Sequence, residues 1–308
     1  MKRWLVVGLL VGCGSVDNKT PDAKMADSPE GIDTTMVDAP PGPRCDPSKP
    51  FGAPTVLANV NTTSRESQPF VTQDELQLWF SSNRPGSQGD DIYMASRATK
   101  NDDFGQAALI AGLNSAGNET RPVLTADGLT IYIQYLATSN SLYKVTSATR
   151  SSTSTSFGAA SEVTEITMSG AHDDAEFILP DHSAIYFNSN RSGGFKLYRS
   201  ARVGGHFQTP AVVSGTDIES AQNDYPTVSA DEKTLYYLSS RAGGTGTDNW
   251  KTTRTSAVQA FGNSVNVSEL NTSEGYYIFS ITADDCIAYV AGPNGANAED
   301  LFVAKKPL

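Results

Sequence analysis

A strand-turn-strand unit recurs five times along the chain, and no other property of the sequence restricts the fold as tightly. Each copy centres on an aspartate in a polar turn: Thr72-Gln73-Asp74-Glu75, Thr125-Ala126-Asp127-Gly128, Leu179-Pro180-Asp181-His182, Ser229-Ala230-Asp231-Glu232 and Thr282-Ala283-Asp284-Asp285. These aspartates stand 53, 54, 50 and 53 residues apart. Five residues after each comes an aromatic: Trp79, Tyr132, Tyr186, Tyr236 and Tyr289. A second aromatic marks the next strand, in Asp91-Ile92-Tyr93, Ser141-Leu142-Tyr143, Lys196-Leu197-Tyr198, Asp248-Asn249-Trp250 and Asp300-Leu301-Phe302. Glycine-rich turns such as Asn83-Arg84-Pro85-Gly86 and Arg191-Ser192-Gly193-Gly194 lie between these strands, as hairpins require.

A third marker, a phenylalanine opening a strand, stands at Phe51, Phe104, Phe157, Phe207 and Phe261. Four of these follow a repeat, but Phe51 precedes the first, and the last copy ends at Leu308 with none after it. The spacing predicts an all-β chain: a single five-bladed β-propeller of four-stranded antiparallel blades. The segment from Phe51 to Val60 supplies the outer strand of the last blade and closes the ring. Composition agrees, since 38% hydrophobic and 19% charged residues suit short strands and polar turns better than long amphipathic helices. The aromatics at the two strand positions are expected to form core between blades.

The turn aspartates, the segment Phe80-Ser81-Ser82-Asn83-Arg84-Pro85-Gly86 with Asp91-Ile92-Tyr93, and the parallel Phe187-Asn188-Ser189-Asn190-Arg191-Ser192-Gly193-Gly194 resemble the TolB-type, WD-like β-propeller repeat of bacterial envelope proteins. The resemblance runs from about Phe51 to the C-terminus. Blades two and five depart from it, with Gln134-Tyr135-Leu136 and Ala291-Gly292-Pro293 where others carry Ser-x-Arg. It implies a monomeric, non-enzymatic scaffold that holds an envelope protein or peptide on one face and in the central channel.

At the N-terminus, Lys2 and Arg3 precede an apolar stretch, Trp4 to Val11, too short for a permanent membrane span. Leu10-Val11-Gly12-Cys13 resembles the lipobox of bacterial lipoproteins, which implies cleavage before Cys13 and lipidation there; an ordinary signal peptide is the alternative. Gly14, where an aspartate would favour inner-membrane retention, points to the outer membrane. The expected organisation is a signal peptide over 1–12, a lipidated cysteine and flexible tether over 13–50, and the propeller over 51–308. Formal charge is −11, from 34 acidic and 23 basic residues, with no Lys/Arg run beyond the first positions. Nucleic acid and anionic headgroups are thus poor partners, and membrane contact is expected through the lipid only.

Lipidation of Cys13 leaves Cys45, just before the closing strand, and Cys286, near the start of blade five's second strand. Second and fourth strands of a blade run parallel and start at one end, so a Cys45–Cys286 disulfide is expected, two free thiols being the alternative.

An acidic or amide position stands just ahead of each innermost strand: Glu66, Glu119, Asp173 with Asp174, Asn223 with Asp224, and Glu274. Two readings are open. The carboxylates form a channel-facing ring able to hold Ca2+ or a basic peptide, or they pair with Arg84, Arg191 and Arg241 and tie blade to blade. Five-bladed glycosidases also use channel-mouth carboxylates, and a lectin-like module is a further alternative. The near-equivalent repeats and the lack of glycosidase blocks argue against an enzyme, and no catalytic residue is assigned. His172, His182 and His206 lack zinc spacing and read as solvated turn residues. Gly243-Gly244-Thr245-Gly246 reads as a hairpin turn.

Overall fold

The structure is a computed structural model that describes residues 42–308 apart from 216, 217, 219–221, 245, 273, 274 and 294–297. Cys13, the predicted signal segment and the predicted tether up to residue 41, and Glu274 lie outside the described residues. The described chain forms five antiparallel sheets and no helix. Blade one is Glu66–Val71, Gln77–Ser82, Asp91–Ser96 and Ala108–Leu109; blade two is Asn118–Leu124, Thr130–Leu136, Lys144–Thr149 and Ser161–Glu162. Blade three is Asp173–Ile178, Ala184–Ser189, Lys196–Val203 and Ala211–Val212, with His206–Phe207 as an added pairing on its third strand. Blade four is Asn223–Val228, Thr234–Ser239, Asp248–Thr253 and Val265–Asn266. Blade five is Tyr277–Ile281, Ile287–Pro293 and Glu299–Lys305, completed by Thr55–Val56 from the start of the body. Blade five packs on blade one, so the sheets make a closed five-bladed β-propeller.

Each turn aspartate is there for its side chain. Asp74 Oδ1 accepts from Thr72 Oγ1 at 2.6 Å and from Leu76 N at 3.0 Å, which tightens the turn between the first two strands. Asp127 repeats this with Thr125 and Leu129, while Asp181 uses Ser183 for both bonds. The residue after each aspartate is left-handed: Glu75, Gly128, His182, Glu232 and Asp285 have φ of 58°, 66°, 61°, 56° and 58°. Only Gly128 adopts this without a Cβ penalty, which costs the others roughly 1–2 kcal/mol each.

What offsets that strain is a latch to the preceding blade. Tyr132 Oη lies 2.7 Å from His182 Nε2, Tyr186 Oη donates to Glu232, and Tyr236 Oη donates to Asp285 Oδ1 at 2.8 Å. Arg97 links the fourth pair, donating to Tyr289 Oη at 3.2 Å with Glu75 3.8 Å away. Where the turn residue is Gly128, the preceding blade carries Trp79, whose Nε1 is satisfied by Gln77 Oε1 of its own blade at 3.1 Å. All five aromatics are at most 4% exposed. A basic residue ending each third strand completes the device: Arg97, Arg150, Arg202, Arg254 and Lys306 lie over Phe104, Phe157, Phe207, Phe261 and Phe51 at 4.2 to 5.9 Å from the ring centroids.

Ring closure pairs Thr55 with Val303 and Val56 with Phe302. Contacts to the body begin ahead of Phe51: Arg44 binds Glu75 at 2.7 Å and Asp284 at 2.8 Å, and Cys45 is disulfide-bonded to Cys286 with Cα atoms 5.6 Å apart. Lys306 Nζ, almost fully buried, donates to Asp285 and to Pro47 O at 2.8 and 2.9 Å. Strand, disulfide and ion pairs together fasten the first and last blades.

Because 241 residues separate the two cysteines, the disulfide removes much entropy from the unfolded chain. Replacing both by serine is expected to cost up to about 5 kcal/mol in a denaturant melt, the upper range of the chain-entropy model. Acid should act through the turns. Hydrogen bonds from Thr125, Ser183 and Ser229 hold Asp127, Asp181 and Asp231 below the usual carboxylate range, and burial holds His182 below the usual imidazole value. Both shifts give stability that is present above the unfolded pKa and lost as pH falls through the folded one. The midpoint difference between the wild type and His182→Asn is expected to shift against the wild type as pH falls below about 6.5, and the midpoints of both proteins to fall below about pH 4.

Candidate functional site

The structure divides the predicted acidic ring into two groups with different environments. Glu66 is fully buried inside blade one, where Oε1 accepts from Thr62 Oγ1 at 2.7 Å, Ser82 Oγ at 2.9 Å and Arg84 at 3.1 Å. Asp173 accepts from Arg191 at 2.5 Å and from Met168 N at 2.6 Å inside blade three. Asn223 takes this place in blade four, 3.4 Å from Arg241. Glu119, in a blade without that arginine, accepts from Ser115 N and Oγ, and burial raises its carboxyl above the usual range. These side chains are tied up within their own blades and do not form an open ring.

The arginine contacts differ from the expected blade-to-blade pairing. Arg84, Arg191 and Arg241 each lie over two aromatics of their own blade: Phe80 and Tyr93, Phe187 and Tyr198, Tyr237 and Trp250. Each Nε donates to the serine of its Ser-x-Arg segment at 3.0 to 3.2 Å. Their acidic or amide partners are also in the same blade. The link to the preceding blade is to backbone, since Arg84 and Arg191 donate to Val60 O and Ile166 O in the incoming connections. In blade five, where Ala291-Gly292-Pro293 replaces Ser-x-Arg, a Cβ on Gly292 would lie 2.2 Å from the Tyr276 ring.

Strand alternation sends the next residue the other way. Asp174 and Asp224 therefore meet at the channel, together with Arg121 and Glu176, which sequence reasoning did not single out. Arg121 pairs with Glu176 and lies 3.7 Å from Asp174 and 3.6 Å from Asp224. Its guanidinium stacks 4.0 Å from the Tyr225 ring centroid. Arg121, Asp174 and Glu176 are no more than 7% exposed, whereas Asp224 keeps 38% of its side-chain surface accessible. Burial pushes the Asp174 carboxyl up to about 6 against the pull of Arg121.

A β-bulge in every innermost strand places these residues. Register shifts fall between Ser67 and Phe70, Thr120 and Val123, Ala175 and Phe177, Asp224 and Thr227, and Ile278 and Ser280. The bulged residues are thus Gln68-Pro69, Arg121-Pro122, Glu176, Tyr225-Pro226 and Phe279. Proline fits where no ladder N–H is needed, and Gln68, Arg121 and Tyr225 take φ of 57°, 54° and 50°. The recurring x-Pro in three innermost strands was the available signal for this layer. It also shows that the blades are unequal at the channel, where blades three and four carry the acids and blade two the cation.

The histidines are engaged as well. His172 Nδ1 accepts from Tyr143 N at 3.2 Å and its ring contacts Tyr143 and Phe195, while the exposed His206 binds Glu165 at 2.6 Å.

At the end of the channel where the innermost strands finish, the five aspartate turns surround a cavity of about 450 Å³. Its wall is apolar, from Val71, Leu124, Phe177, Ile178, Val228 and Ile281. Thr72, Thr125, Ser229 and Thr282 follow, with Asp74, Asp127 and Arg150 towards the rim.

The fold and this channel define the class, a five-bladed β-propeller with a charged mid-channel layer. No family model matches the sequence. No curated protein matches it either. Among solved structures, an α-L-arabinofuranosidase from Podospora anserina superposes with a TM-score of 0.53 at 12% identity, covering 85% of this chain and 98% of that one. A thermostable family-43 glycoside hydrolase gives 0.50 at 14% identity, covering 82% and 91%. TolB from Acinetobacter baumannii gives 0.45 at 16% identity, covering 84% of this chain, which spans 55% of that protein's length. At such identities the likeness shows the fold alone.

Removing the channel cation should be costly. Arg121→Met leaves Asp174 and Glu176 buried without compensation, at an expected loss of about 3–5 kcal/mol. The uncompensated carboxyls then titrate at raised pKa, so the loss is expected to be greater at pH 8 than at pH 5 in urea melts at the two pH values.

Proposed function

We propose that the protein is a non-enzymatic scaffold of the cell envelope that holds a protein or peptide segment in the cavity at the aspartate-turn end of its channel. In this reading Cys13 carries the lipid that anchors it to the outer membrane. The carrying observation is where space is found. The mid-channel carboxylates lie against Arg121, whereas the cavity among the turns is lined by apolar side chains, hydroxyls and rim carboxylates. An apolar wall with Asp74 and Asp127 near the rim suits an extended segment carrying apolar and basic side chains. The resemblance of the repeat to the TolB type supports the envelope setting by analogy.

A glycosidase is the second reading, favoured by the presence of Asp174, Glu176 and Asp224 in one channel. It ranks lower because Glu176 is paired with Arg121 and both are buried, where an acid–base pair needs access to a sugar.

The test is affinity capture with cross-linking from detergent-solubilised envelope, using the full-length protein, its Ala230→Trp and Ala283→Trp variants and Cys13→Ala. Both alanines are exposed and line the cavity. The expected result is a specific protein partner whose recovery falls at least tenfold in the tryptophan variants, with Cys13→Ala leaving the membrane fraction. Glycan hydrolysis that vanishes in Asp174→Asn, with no captured partner, would replace this reading by the enzymatic one.

A further inference from the structure

We infer that Arg150 is the residue by which the cavity at the aspartate-turn end recognises a carboxylate on the segment it holds, either an acidic side chain or a free C-terminus. This role rests on the reading that the cavity takes a protein segment, and it adds an acidic group to that segment's apolar and basic ones. Five basic residues share one place in the repeat, each at the end of a third strand and over a phenylalanine. Four of them have a charged or hydroxyl group to act on. Arg97 donates to Tyr289 Oη at 3.2 Å with Glu75 3.8 Å away, and Arg254 donates to Tyr186 Oη at 3.1 Å with Glu232 3.5 Å away. Lys306 binds Asp285 at 2.8 Å, and Arg202 lies within electrostatic reach of Glu165. Arg150 differs. Its Nε donates to Gly128 O at 2.7 Å, but among the described residues its two terminal nitrogens have no hydrogen-bond or ion-pair partner. Burial holds the guanidinium below its usual value, with no described carboxylate near enough to raise it.

Gly128 is the cause. The other blades carry Glu75, His182, Glu232 or Asp285 at this turn position, and blade two has no side chain there. Arg150 takes the space instead: a Cβ on Gly128 would lie 3.3 Å from Arg150 Nη2 and 3.3 Å from Thr153 Cγ2. Of the five basic residues, Arg150 is the one that lines the cavity, together with Thr153 and Asp127. A cation at the mouth of an apolar cavity, without an acid of its own, receives one from outside. The planar fork of a guanidinium matches a carboxylate with two parallel hydrogen bonds, so direction as well as charge favours an acid over a neutral amide. Asp127, next to Gly128, accepts from Thr125 and Leu129 and keeps its negative charge. The rim therefore sets a cation beside carboxylates. A segment carrying both signs of charge is fixed in register by it, whereas a purely acidic one is repelled.

The test selects synthetic random peptides, with free or amidated C-termini, on the immobilised full-length protein and measures the affinity of enriched peptides by fluorescence anisotropy. The expected peptides combine apolar residues with an acid, or with a free C-terminus whose amidation abolishes binding. Arg150→Gln should weaken them at least about tenfold, replacing the peptide's acid by its amide should cost the same, and both changes together should cost no more than either alone. The change on the peptide tests the contact without altering the protein. Arg150→Lys should keep part of the affinity, Arg150→Glu should favour peptides with lysine in place of the acid, and Ala230→Trp should block all of them. Thermal melts check that each variant unfolds cooperatively. Enriched peptides that lack an acid and bind Arg150→Gln as well as the wild type would overturn the role of Arg150 and leave the cavity as a segment-binding site. Additive losses in the double change would overturn it too, by making Arg150 a structural prop of the rim. No enrichment on the wild type would remove both readings.

Discussion

The structure depends on the latch between consecutive blades, in which a turn residue held at positive φ meets the buried aromatic of the blade before it. A single blade cannot bury its apolar faces alone and gains its stability from its neighbours. Packing flat aromatics between sheets supplies area without direction, whereas the hydroxyl-to-turn contacts from Tyr132, Tyr186 and Tyr236 give each interface a register. The exception follows the same logic: Gly128 has no side chain to offer, and Trp79 opposite has no hydroxyl to satisfy. A closed ring of such contacts is only as strong as its join. Hydrogen-bonded strands, a disulfide and the Arg44 and Lys306 ion pairs all converge where blade five meets the N-terminal strand.

The same strand geometry separates structural polar groups from those available to a ligand. One position on each innermost strand turns into its blade and is consumed by local hydrogen bonds, as Glu66 and Asp173 are. The following position turns to the channel, where inequality between blades is tolerated because little packs against it. Asp174 and Asp224 come from that position, and the bulge residues Arg121 and Glu176 join them there. Function in a propeller of repeated units resides in such departures from the repeat.

Much of the architecture was legible in the sequence, because a period of some fifty residues with an aspartate turn and two aromatics dictates both the strands and their copies. The closing strand was legible from the unmatched Phe51. The site was read less well. Adjacent residues such as Asp173 and Asp174 look alike in a sequence, yet pleating gives them opposite fates, and a one-residue bulge decides which side chains enter the channel. Arg121 sits at a bulge whose trace is the x-Pro pattern it shares with blades one and four, whereas the bulge at Glu176 has no such mark in its own blade.

The sequence by itself therefore determined the number of blades, their strand order and how the ring closes, since these follow from local periodicity and turn chemistry. Only the tertiary structure decided which charges meet. Arg121, Asp174 and Asp224 lie on three different blades, and their proximity is set by ring curvature and by the bulge register. The latches that hold that ring also join residues some fifty positions apart, Tyr186 to Glu232 and Tyr236 to Asp285. No local pattern encodes those distances; they exist only once the five blades have packed around a common axis.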